Sequence, residues 1–172
     1  MKKYLVTSTM LAVLILIAVA SGASAQSVMH PVSGEYGIVD VYDLEHATAV
    51  QVGNFCQVEV DAAYPFTGDL EGTAKLHFWA LIHGPCGLDF FATKENYKAT
   101  GTFYGTVLGE EGTLDLFYQG HGWPAEVGEQ AVSSKIIIRS GTGGLKGAKG
   151  VLAVTYLMGD EFDSYEGHVT LK

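Results

Sequence analysis

Two stretches of the chain alternate residue by residue, and that period of two constrains the fold more than any other feature. Over 55–63, Phe55, Gln57, Glu59 and Asp61 share one face while Cys56, Val58, Val60 and Ala62 share the other. Over 73–83, Ala74, Leu76, Phe78, Ala80 and Ile82 face one way, and Lys75, His77, Trp79, Leu81 and His83 the other. This is the pattern of a half-buried strand, and no segment sustains the 3.6-residue period of a helix. Residues 88–95, 98–108, 113–119, 133–139, 151–157 and 165–171 read as further strands. Turn clusters separate them: Gly84-Pro85-Cys86-Gly87, a tight hairpin at Gly109-Glu110-Glu111-Gly112, a looser stretch over 121–128, the glycine-dense 141–150 and an acidic turn over 159–164. Only 40–50, around Tyr42-Asp43-Leu44-Glu45-His46, is ambiguous with helix. Seven or eight strands at roughly ten-residue spacing make a sandwich or an up-and-down barrel, and consecutive short hairpins favour the barrel.

Composition narrows the class further. The 22 glycines among 172 residues are nearly twice the usual share of about 7%. Four prolines without a Gly-X-Y period exclude collagen, and 17% charged residues is too few for a disordered chain. Glycines inside the strand readings (Gly101, Gly105, Gly120, Gly167) suit bends and tight barrel corners. A formal charge of −9 argues against sequence-independent nucleic-acid binding, which needs a basic surface.

The N-terminus reads as a secretory leader. Lys2 and Lys3 precede an unbroken apolar run from Met10 to Ala20, and Ala23-Ser24-Ala25 supplies the small residues of a cleavage site before Gln26. The run is well short of the roughly 20 residues that cross a bilayer. We therefore divide the chain into a signal peptide (1–25), a lead-in segment (26–45) and a β-barrel domain (46–172). The expected location is secreted, periplasmic or on the cell-envelope exterior, with no membrane span in the mature chain. Cys56 and Cys86 both lie in the exported part, where two cysteines most often pair. The alternative is two separate thiols, with Cys56 buried between Phe55 and Val58.

From Phe66 onward a series of motifs is familiar: Pro65-Phe66-Thr67-Gly68-Asp69-Leu70-Glu71-Gly72, Phe90-Phe91-Ala92-Thr93-Lys94-Glu95, Gly101-Thr102-Phe103-Tyr104-Gly105, Gly109-Glu110-Glu111-Gly112-Thr113-Leu114, the segment from Ser140 to Gly150, and Tyr165-Glu166-Gly167. They resemble a family of small bacterial domains of unassigned function that share the allene oxide cyclase-like barrel. The Gly-Thr-Gly-x-Leu-x-Gly-x-x-Gly stretch is also similar to plant dirigent proteins and allene oxide cyclases. The resemblance implies an all-β, eight-stranded antiparallel up-and-down barrel, and a dimer or trimer. No catalytic residue of the cyclases or dirigent proteins has a match here.

Residue patterns that carry chemistry are few. Gly141-Thr142-Gly143-Gly144 lacks both the Walker sequence and the strand-to-helix context of a phosphate loop, so it reads as a turn. His77 and His83 lie roughly 20 Å apart along one strand at 3.3 Å per residue, too far to share an ion. Asp160, Glu161, Asp163 and Glu166 fail the EF-hand pattern and read as a solvated turn. We expect no metal and no cofactor. Glu95 is the sharpest candidate, because a carboxyl in a barrel lumen is desolvated and suited to acid or base work. The bland reading is a rim glutamate paired with Lys94 or Lys98. Asp115 and Glu59 share that ambiguity. Tyr118, His121 and Trp123 are candidates for one barrel mouth, with His77 a further ligand-binding candidate. Three functions follow from these readings. The leading one is binding of a small apolar or aromatic molecule in or at the mouth of the barrel. The others are a cofactor-free isomerase or cyclase, and a structural or interaction protein of the cell envelope, for which a fully plugged interior is expected.

Overall fold

The computed structural model describes residues 27–37, 42–88, 93–125, 130–158 and 162–172. Nine antiparallel strands account for most of them: β1 (Val28–Gly37), β2 (Thr48–Val52), β3 (Phe55–Gly68), β4 (Leu70–His83), β5 (Glu95–Val107), β6 (Glu110–Pro124), β7 (Gln130–Gly143), β8 (Lys149–Met158) and β9 (Phe162–Leu171). Their order is β1-β9-β8-β7-β6-β5-β4-β3-β2, and an additional β1–β3 pairing closes eight of them into a ring. The fold is thus all-β with eight strands in a ring, the barrel-like one of the two architectures, sandwich or barrel, that the alternation leaves open. Residues 1–25, which the sequence reads as a leader, lie outside the described residues.

Closure depends on the length of β3. Its last residues pair with β1 through Gly34↔Gly68, Glu35↔Thr67 and Tyr36↔Phe66. Its first residues pair with β2, from Thr48↔Glu59 to Val52↔Phe55. Between the two, Tyr42 makes an isolated bridge to Ala62, and the Asp43 amide donates to the Asp61 carbonyl at 2.7 Å. The region whose sequence is ambiguous with helix is a turn followed by β2. The lead-in segment contributes β1 to the ring, with Val32 and Tyr36 buried on its inward face.

Three element boundaries differ from the sequence reading, each for a local reason. The β5–β6 hairpin pivots on Leu108-Gly109, whose φ angles are both positive (52° and 86°), as a two-residue turn matching strand twist requires. Glu110 and Glu111 are already the exposed start of β6. β6 continues through His121, Gly122 and Trp123, where the looser stretch was expected, because the inward positions there are glycines. Without inward side chains the apolar alternation disappears from the sequence while the ladder persists. Glu95 opens β5 instead of ending a strand over 88–95, and residues 89–92 of that reading lie outside the described residues.

The interior is packed unevenly along the barrel axis. At one end Phe66 contacts Phe103, Tyr165 and Tyr36 with ring centroids 5.5–5.7 Å apart. The Tyr165 hydroxyl accepts from the Leu70 amide (2.9 Å) and donates to the Thr67 carbonyl (3.0 Å). The glycine-dense segment caps this end: Leu145 and Ala148 are fully buried, in turns held by Gly144 N–H to Glu111 O (2.8 Å) and Ala148 N–H to Leu145 O (2.9 Å). Its Gly143 and Gly147, with φ of 62° and 81°, shape the turns that seat this plug. Among the described residues, no side chains fill the other end.

Candidate functional site

Ring neighbours at the unfilled end can be read from the register. One row runs Cys56, Ile82, Glu95, Gly122 and Val132 across β3 to β7, and the next runs Val58, Ala80, Tyr97, Gly120 and Ser134. Three of the five positions in that second row carry a side chain no larger than a hydroxymethyl. The result is a cavity of about 360 Å³, lined by Val58, Val60, Tyr64, Phe78, Ala80, Ile82, Glu95, Tyr97 and Tyr118 from the barrel. Tyr42, Leu44 and Ala47 from the turn before β2 complete the wall. Leu44 is 76% exposed and sits at the mouth.

Aromatic rings make most of the wall. Tyr97 stacks on Tyr118 (centroids 5.6 Å, 23° between planes), and Phe78 meets Tyr118 edge-on at 5.7 Å and Tyr42 at 6.0 Å. Their hydroxyls are paired. Tyr64 donates to Tyr42 at 2.7 Å, Tyr36 and Tyr118 share a hydrogen bond at 3.4 Å, and Tyr97 is bonded to the Ser134 hydroxyl. Burial pushes the phenols of Tyr42, Tyr97 and Tyr118 above their ordinary value, so all three stay neutral.

Glu95 is the exception in this wall. It is 3% exposed, and burial alone pushes its carboxyl from 4.5 up to about 7. Among the described residues no basic side chain pairs with it. Lys94, its neighbour in the chain, is exposed on the outside. Gly122, its cross-strand partner, leaves room for the carboxyl: a Cβ there would lie 2.9 Å from Glu95 Oε1 and 2.8 Å from Gln130 Cδ. Beside it Gln130, also buried, donates to the Thr93 carbonyl at 3.0 Å.

The remaining candidates separate by strand parity. Tyr118 points inward and lines the cavity with Glu95. His121 and Trp123 lie an odd number of residues from Tyr118 and face outward, stacked on each other at 5.1 Å, so the three do not share a mouth. Asp115 is on the outer face, 2.9 Å from Arg139. His77 is also outside, its Nδ1 2.6 Å from Asp61 and its ring 4.3 Å from Trp79, with Glu59 3.9 Å from Nε2. Cys56 and Cys86 are bonded to each other, with Cα atoms 4.9 Å apart, and the Cys86 amide donates to Gln51 Oε1 at 2.7 Å. This bridge pins the turn after β4 against β3 at the cavity end. Among the described residues no group of three His, Cys, Asp or Glu is placed to hold a metal ion. Asp160 and Glu161 of the acidic turn lie outside the described residues.

Sequence reasoning missed Tyr42, Tyr64, Tyr97 and Gln130. Parity extended two residues beyond Glu95 reaches Tyr97, and four beyond Val60 reaches Tyr64. Tyr42 carries no such signal, because it enters the wall from a turn.

The chain matches, over residues 32–166, a family described as protein of unknown function (DUF3224), and it belongs to that family. A crystal structure of a protein with unknown function from the same family, from Shewanella oneidensis MR-1, is similar with a TM-score of 0.55 at 19% identity. The match covers 84% of this chain and 98% of that one, and at this identity it speaks to the fold alone. Among curated proteins none matches the chain.

Proposed function

We propose that this member of the DUF3224 family binds a small apolar or aromatic molecule in the open end of its barrel. The observation that supports the reading is the cavity. Its volume of about 360 Å³ falls within the roughly 300–1,000 Å³ of small-molecule sites, and its walls are apolar with one ionisable carboxyl. The leader and the disulfide support a location outside the cytoplasm, whether secreted, periplasmic or on the envelope exterior. Among the described residues no helix is long and apolar enough to cross a membrane. The dimer or trimer implied by the allene oxide cyclase-like resemblance belongs to the same reading.

The test uses N-phenyl-1-naphthylamine, a neutral dye that brightens in apolar surroundings. Saturable binding of one dye per chain is expected, with an upward shift in melting temperature. Ala80→Phe and Ala47→Phe, which fill the cavity from the barrel wall and from the turn, should each abolish it. Both tryptophans lie on the outer face, so their emission is expected to change little. Absent saturable binding, or binding indifferent to both substitutions, overturns the proposal.

Glu95 also favours a second reading, a cofactor-free isomerase or cyclase. A carboxyl that titrates near 7 in an apolar cavity is suited to proton transfer at neutral pH. That reading requires turnover which Glu95→Gln abolishes while dye binding survives. Among the described residues, this end of the barrel lacks the full plug expected of a purely structural protein.

A further inference from the structure

We propose that the occupant of the cavity is a lipophilic organic cation, an amine carrying an aromatic or aliphatic body, whose ammonium group pairs with Glu95 inside a wall of aromatic rings. The inference rests on the cavity-binding reading above and adds the ligand's chemical class.

Three observations carry it. First, the carboxyl and the rings of Tyr42, Tyr97, Tyr118 and Phe78 line one and the same space. Ring faces carry negative quadrupole density and attract cations, most strongly where water is excluded. Second, no basic side chain among the described residues pairs with that carboxyl, and its neighbours on the strands packed against it supply none. Among the described residues the titratable groups facing it are Tyr42 from the turn before β2, Tyr97 on β5 and Tyr118 on β6. β4 contributes Ile82 and β7 contributes Gln130, neither of which titrates. A purely apolar ligand leaves this carboxyl unpaired, and an anionic ligand is repelled by it. A cation satisfies it, through a charge-assisted hydrogen bond of the stronger kind. Third, the exposed turn at the mouth carries two carboxylates, Asp43 and Glu45, against one imidazole, His46, whose Nδ1 lies 2.8 Å from Asp43, in a chain of net charge −9. That field favours the approach of cations over anions.

The experiment compares three ligands that share one aromatic body: 1-naphthylmethylamine, 1-naphthalenemethanol and 1-naphthoic acid. Titration calorimetry at about pH 8, where Glu95 is ionised, should show the amine binding at least about tenfold tighter than the alcohol, with the acid weakest. Glu95→Gln, which keeps the shape of the side chain, should erase the preference of amine over alcohol. At about pH 6 the carboxyl of the empty cavity is mostly protonated, so amine binding should release close to one proton per chain. That release is read from two buffers of different ionisation enthalpy and should vanish in Glu95→Gln. If the alcohol binds as tightly as the amine, in a manner blocked by Ala80→Phe or Ala47→Phe, the cation preference is overturned and the cavity reading stands. If none of the three ligands nor the neutral dye binds, both fail together.

Discussion

Replacing Glu95 by glutamine tests the electrostatics of the cavity without any ligand. The carboxyl titrates at 4.5 in the unfolded chain and at about 7 in the folded one, because burial disfavours its charged form. Below about pH 4.5 it is neutral in both states and burial carries no charge penalty. Between about 4.5 and 7 the unfolded chain ionises first, so the native state holds the extra proton and stability falls as pH rises. Above about 7 both states are ionised and the native state bears the whole penalty, roughly 3 kcal/mol at about 1.4 kcal/mol per pH unit. The amide of the Glu95→Gln variant does not titrate. Its stability relative to the natural protein should therefore climb from an offset near pH 4 to a plateau near pH 8, a rise of roughly 3 kcal/mol. For a chain of this size that is roughly 6–12 °C in melting temperature. The assay is thermal unfolding followed by circular dichroism at pH steps from 4 to 8, plotted as variant minus natural protein. Subtraction cancels the histidines, all of which both proteins share. A difference that is flat with pH, or that falls, refutes the claim that Glu95 is held uncharged by burial.

Two further predictions concern the frame around the site. Replacing both cysteines by Ala, or reducing the bridge, should lower stability by roughly 3.5 kcal/mol on the chain-entropy estimate for a separation of 30 residues. Dye affinity should fall with it, because the turn after β4 is no longer pinned at the cavity end; urea unfolding and dye titration measure the two. Gly122→Ala places a methyl against Glu95 Oε1 and Gln130, and should cost about 1–3 kcal/mol while displacing the carboxyl. Its pH-dependent difference from the natural protein should then depart from zero slope, which the same melting series reads.

The parts legible in the sequence are those with local causes. Alternation over 55–63 and 73–83 identifies the inward faces of β3 and β4 through Val58, Val60, Phe78, Ala80 and Ile82, all of which line the cavity. Glu95 is in phase with Phe91 and Thr93 in the sequence, which leaves open a lumen carboxyl or a rim glutamate paired with Lys94 or Lys98; burial in the folded barrel decides for the first. Alternation fails where the inward residue is glycine. Gly120 and Gly122 erase the alternation in β6, and without it His121 and Trp123 group with Tyr118, although three and five residues along a continuous strand place them on the opposite face.

The period of two and the glycine turns determined that this chain would be antiparallel strands in a sandwich or a ring, because each is a property of neighbouring residues; the closing β1–β3 pairing and the bridge between Cys56 and Cys86, 30 residues apart, belong to the tertiary structure. Whether that ring would be solid or hollow was decided only by tertiary register. Gly122 lies opposite Glu95, Gly120 opposite Tyr97, and Ala80 between Val58 and Tyr97, so volume is missing at one level of the barrel and Tyr42 arrives from outside the ring to wall it. Cavities and desolvated charges arise from sums of side-chain volume across strands distant in sequence, and those sums exist only once the strands are aligned.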